Sequence, residues 1–215
     1  MTRRMLKVLA MTSTIVAAAA GLTTTASASV VFLTGNHPQS GEQNILFNTG
    51  SGTTVTGHTD QSGTLVDFAS LTGQTLVTSS SGQAKITTAA NGGFLTDVDV
   101  TAPGFTFTDF IANLHDLQSD ALVTVVTNDG TSTDTFAPHA GGGENFFTIL
   151  AENGETIWSV DFGSASGFNQ FQQPRISGLA AAIPELSTWA MMVVGLAGLG
   201  AAGWRKRSKS PLSIL

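Results

Sequence analysis

Between Ser29 and Ile183 the chain consists of short runs in which apolar and polar residues alternate. That period of two limits the fold more than any other feature. In Ile157-Trp158-Ser159-Val160-Asp161-Phe162, the side chains of Trp158, Val160 and Phe162 fall on one face and those of Ser159 and Asp161 on the other. In Phe105-Thr106-Phe107-Thr108 the phenylalanines share one side and the threonines the other. A strand with one buried face reads this way, and a helix does not. Similar runs recur along the chain: Val30–Leu33, Asn44–Asn48, Thr53–Thr59, Leu65–Ser70, Thr75–Thr78, Ala84–Thr88, Phe94–Val100, Leu122–Thr127, Thr133–Phe136, Phe146–Leu150 and Phe171–Ser177. Asn128-Asp129-Gly130 joins two of them with a hairpin signal, because Asp-Gly tolerates positive φ. The expected fold is all-β, an antiparallel β-sandwich of jelly-roll type. The one helix candidate is Phe110 to Leu117, read as a bend or a single turn.

The same region is strongly acidic. Lys85 and Arg175 are its only basic residues, against 14 Asp and Glu, for a net charge of −12. A surface of that sign repels phosphate backbones, so nucleic-acid binding is rejected. The chain has no cysteine, which leaves disulfides and thiolate metal sites out of the account. A region of this length can bury a core of its own.

Residues 186–204 form an uncharged apolar run, followed at once by Arg205, Lys206, Arg207 and Lys209. At about 1.5 Å per residue such a helix covers roughly 28 Å, close to the hydrocarbon thickness of a bilayer. Trp189 and Trp204 stand near its two ends, where indole rings prefer the headgroup zone. The basic cluster predicts a cytoplasmic tail over 205–215, with everything before the helix outside. At the other end of the chain, Arg3, Arg4 and Lys7 precede an apolar stretch from Val8 to Leu22. Ala26-Ser27-Ala28 then supplies a small-residue cleavage site. Residues 1–28 therefore read as a secretory signal peptide, and the mature chain is expected to start at Ser29.

Pro184-Glu185, Trp189-Ala190-Met191-Met192, the run Gly195 to Gly200 and Arg205-Lys206-Arg207 occur in that order. Together they resemble the PEP-CTERM sorting signal of exported bacterial proteins, over about 30 residues of the chain, 184–215. Leu186 stands where that family has a second proline. The resemblance implies recognition by an exosortase, a membrane protease or transpeptidase that cleaves the anchor away, after export by the Sec machinery. It also implies transient anchoring in the inner membrane and delivery to the cell surface or an extracellular matrix of polysaccharide. The order Asp129-Gly130, Phe136, Glu144 to Phe147, Ile157 to Val160 and Arg175 to Leu179 is similar to the C-terminal half of jelly-roll modules in such ectodomains. Those modules are often related to carbohydrate-binding modules.

Catalytic chemistry is harder to find. No Gly-x-Ser-x-Gly elbow occurs between Ser29 and Ile183, since Gly163-Ser164-Ala165-Ser166-Gly167 places its serines out of register. His37, His58, His115 and His139 have no metal-pair spacing and read as solvated loop residues. Asp97 and Asp99 share a strand face, with Asp109 and Asp116 following. These acids could form a solvated polar face, a structural Ca²⁺ site or a glycosidase pair. Trp158 is assigned to the core, and one member each of Phe146/Phe147 and Phe168/Phe171 could be exposed. No catalytic residue and no required cofactor is assigned. Three function classes follow: a non-enzymatic exported surface or matrix protein, a glycan-binding module, and a glycan-active hydrolase.

Overall fold

In the computed structural model, residues 29–79, 84–90, 92–137 and 143–182 are described, together with Val194 and Leu196. The sorting residues Pro184, Glu185, Trp189, Arg205, Lys206 and Arg207 lie outside them, as do Ala26, Ala28 and His139. Among the described residues no helix is long and apolar enough to cross a membrane. Of the span 186–204 only Val194 and Leu196 are described, both helical and exposed.

The body is all-β and antiparallel. Its strands are β1 (Ser29–Thr34), β2 (Gln43–Phe47), β3 (Gly50–Gly52), β4 (Thr54–Thr59), β5 (Leu65–Ala69), β6 (Leu76–Thr78), β7 (Lys85–Thr88) and β8 (Leu95–Thr101). They continue with β9 (Phe105–Thr106), β10 (Asp109–His115), β11 (Ala121–Thr127), β12 (Thr131–Phe136), β13 (Phe146–Glu152), β14 (Ile157–Phe168), β15 (Gln170–Ser177) and β16 (Ala180–Ala181). One hydrogen-bonded path runs β1-β13-β10-β15-β2-β4-β5-β8-β14-β11-β12. The path turns a corner inside β2. Gln43 and Asn44 pair with β15, while Ile45 to Phe47 pair with β4.

A bulge at Gln173 (φ 51°) lets β15 serve two partners on one edge, β2 beside Arg175 and β7 beside Phe171. Pro174 follows it, tolerated at a bulge because no ladder donor is required there.

The curled sheet wraps a phenylalanine core. Phe110 on β10 packs against Phe162 on β14, ring centroids 5.9 Å apart, and Phe147 approaches Phe162 at 4.7 Å. Phe47, Phe68, Phe168 and Phe171 extend the cluster, all buried. Rings at these spacings add about 0.5–1.5 kcal/mol per pair beyond the burial of their area.

The sequence places strands where the structure has them, with three corrections. Phe110 to Leu117 is no helical turn: β10 runs through it to His115, buried on both faces down to Leu114. Phe105 and Phe107 do not share a fate, because Phe105 lies exposed in β9 while Phe107 is buried and bridges Ile157. Trp158 is not in the core. The register against β11 shifts between Val126, paired with Ser159, and Thr127, paired with Ile157, so Trp158 is an extra residue in β14 that breaks its alternation and stands 40% exposed, while Val160 and Phe162 are fully buried.

Candidate functional site

The path does not close among the described residues, and the strands at its two ends, β1 and β12, border a cleft of about 710 Å³. At one end they come together, where Val30, Thr131 and Ser132 line a shallow hollow. Towards the other end they part. The cleft there has an apolar floor of Phe32, Phe136, Phe146 and Phe147, and polar groups at Asn36 and Asp134. Its size lies in the range of small-molecule sites. Phe146 is the half-buried member of its pair, as the sequence allowed, whereas Phe168 and Phe171 are both fully buried.

The four aspartates singled out by sequence do not converge. Asp97 and Asp99 lie on β8, Asp109 lies on β10 across the core, and Asp116 follows β10 with φ 55° and accepts from the Gly143 amide. Among the described residues, no group of three or more His, Asp or Glu could hold a metal ion. A shared calcium site for the four is therefore ruled out by placement.

Each aspartate has its own role. Asp97 is buried and accepts hydrogen bonds from the Ser70 hydroxyl (3.0 Å), the Thr72 hydroxyl and the Leu71 and Thr72 amides. It ties the loop after β5 to β8 and is structural. Asp99 stands opposite Asp161 of β14, and also pairs in register with Ala69. Burial, then the charge of Asp161 and of Asp97, pushes the Asp99 carboxyl up to about 6. Asp161 is raised as well, by burial and by Asp97, against a lowering backbone bond at Phe162. Like charges directly opposite one another destabilise a sheet, and paired, raised carboxylates mark functional candidates. Asp161 shares its strand with Trp158, the exposed aromatic that sequence reasoning had assigned to the core. Its exposure follows from the extra residue in β14, which is set by the register against β11 and which no local pattern displays.

The three described histidines are not ligands of one centre. His37 Nε2 lies 2.9 Å from the Thr34 carbonyl, His58 belongs to β4 and His115 ends β10. The last two are strand residues, contrary to the loop assignment. No protein-family model, curated protein or solved structure matches this chain.

Proposed function

We propose that this chain is a non-enzymatic exported protein, carried across the cytoplasmic membrane by residues 1–28 and held by the helix at 186–204. An exosortase then processes it for a cell-surface or exopolysaccharide matrix. The finer fold is read as a jelly-roll sandwich, its two layers joined through β2. The observation that carries the reading is the ordered motif of the C-terminus, from Pro184-Glu185 to Arg205-Lys206-Arg207.

The geometry supports it in one respect. Ser29 pairs with Glu152, next to Ala151, whose amide bonds to Thr108; Ala181 pairs with Phe105, and the Ala182 amide bonds to Gly104. The residues adjoining the two terminal signals thus lie at the same end of the body, and an anchor following Ala182 would leave from that end. The wide part of the cleft lies toward the opposite end.

The test is fractionation of cells with and without the exosortase, following tags on the body and on the tail. The expected result is loss of the tail in the wild type and retention of the full-length chain in the inner membrane without the enzyme. Identical processing in both strains, or full-length chain in the cytosol, overturns the proposal.

A second reading, a carbohydrate-binding module, is favoured by one observation: Trp158 lies exposed on β14, the strand that also carries Asp161. An indole can stack on a sugar ring while carboxylates accept its hydroxyl protons. A glycan array on the chain, with Trp158→Ala beside it, tests this. Binding to one sugar class that the variant loses supports the module, and a blank array removes it. What supports the non-catalytic reading over a hydrolase is that Asp99 and Asp161 are neighbours within one sheet. A glycosidase needs two acids flanking the bond they cleave.

A further inference from the structure

Asp109 is 2% exposed, and neither of its carboxylate oxygens has a hydrogen-bond partner. A buried carboxylate in that condition is costly, by several kcal/mol if it stays ionised and alone. Its surroundings are not random. In the register of the sheet, Asp109 of β10 stands opposite Ser177 of β15. Ser177 is followed across the next ladder by Glu42, the residue before β2, because Gln43 pairs with Ile176. Carboxylate, hydroxyl and carboxylate thus form a row across three adjacent strands, on one face, with neighbouring positions about 5 Å apart.

The row is short of positive charge. Arg175 is close, and two of its nitrogens are engaged: Nη1 donates to Glu42 Oε2 at 3.0 Å and Nη2 to Asn36 Oδ1 at 2.6 Å, while its buried Nε has no partner. The other Glu42 oxygen, Oε1, is buried without a partner. Two carboxylates and one guanidinium leave a net charge of −1 beneath the segment that carries Asn36 to Glu42. Beside Asp109 lies a cavity of about 290 Å³, also lined by Gln39, Ser40, Glu152 and Ser177, though not by Glu42, and large enough for several waters.

We infer that Asp109 and Ser177 hold a single Ca²⁺ ion in this cavity, with Gln39, Ser40, Glu152 and cavity waters completing an all-oxygen shell. Calcium fits because it accepts six to eight oxygen ligands in irregular geometry, whereas Mg²⁺ demands a near-ideal octahedron. The ion would supply the missing positive charge and tie the 36–42 segment to the sheet beneath it. The inference is independent of the sorting proposal, because it concerns the body alone.

The test uses the purified full chain in detergent, stripped with EDTA. Calorimetric titration with CaCl₂ is expected to give one site, with Kd of about 10⁻⁴–10⁻³ M, and 10 mM Ca²⁺ to raise Tm by about 4 °C. Asp109→Asn should weaken binding at least tenfold. Ser177→Ala, a milder change should the first variant fail to fold, should weaken it severalfold. Asp99→Asn, on the opposite layer, should leave it unchanged. Absence of binding, an equal response to Mg²⁺ or to NaCl at matched ionic strength, or undiminished binding in Ser177→Ala and Asp109→Asn would overturn the inference.

Discussion

Asp99 and Asp161 face each other across the antiparallel pair of β8 and β14, two carboxylates in register on neighbouring strands. Each raises the cost of ionising this part of the sheet, and burial adds to it. The folded pKa of Asp99, about 6, exceeds its unfolded value of 3.8. The folded state therefore binds the proton more tightly, and stability is greatest below pH 4 and lost as pH rises through 6. Asp109 carries the same sign and extends the loss to about pH 7.

It follows that Asp99→Asn should stabilise the protein at pH 7.5 by about 1 kcal/mol, after allowing for solvent screening of a partly exposed pair. The variant should gain nothing at pH 4, where both forms are neutral at this position. Thermal melts of the two proteins across pH 4–8 read this directly. A variant that gains as much at pH 4 as at pH 7.5 would show that repulsion is not what Asn relieves.

Gly178 (φ 63°) closes the turn after β15, and a Cβ built on it would run into the Thr108 side chain. Gly41 has a similar backbone (φ 77°) but nothing within 4 Å of the same position. Alanine at Gly41 therefore carries the dihedral cost alone, about 1 kcal/mol, and alanine at Gly178 the same cost plus a clash, about 3 kcal/mol in all. Chemical denaturation of the two variants should separate them by about 2 kcal/mol. Equal losses would mean that Thr108 moves aside freely.

Phe162 and Trp158 stand on the same strand and were read from sequence as one buried face. The structure predicts opposite responses. Phe162→Ala removes a fully buried ring that contacts Phe110, Phe147 and Phe171, and should cost about 3–5 kcal/mol. Trp158→Ala removes a partly exposed ring and should cost under about 1 kcal/mol. Denaturant midpoints decide between this placement and the one that alternation implies.

The contrast shows how far the sequence could be read. Alternation located the strands because each element is local, and the turn at Asn128 to Gly130 was legible for the same reason: the Thr127 amide bonds to the Gly130 carbonyl at 2.7 Å, with Gly130 at φ 143°. What escaped reading depends on distant partners. The bulge that exposes Trp158 is a slip between β11 and β14. Asp109-Phe110-Ile111-Ala112 shows no alternation because its outer face is buried too, so a fully covered strand passed for a turn of helix. The company that Asp109 keeps, Glu42 and Ser177, comes from far along the chain, and no spacing rule connects them.

The open edges of the sheet lead to the last prediction. β1, Ser29-Val-Val-Phe-Leu-Thr34, is an edge strand with no charge and no proline, a ready template for another strand. β12 forms the opposite edge, and Asp134 sits on its inward-facing side, in register with the buried Val123, where a strand of this kind would otherwise carry an apolar residue. A carboxylate there must keep access to water, so it disfavours closure of the cleft by a strand from a second chain. Asp134→Val removes that obstacle and joins Phe136 to a continuous apolar strip along the cleft. The variant should keep its unfolding free energy within about 1 kcal/mol of the parent's, since the residue is exposed, yet self-associate at concentrations where the parent is monodisperse. Light scattering across a concentration series measures it. If Asp134→Val stays as monodisperse as the parent, protection of the edges must come from β1 or from the shape of the cleft, and not from this charge.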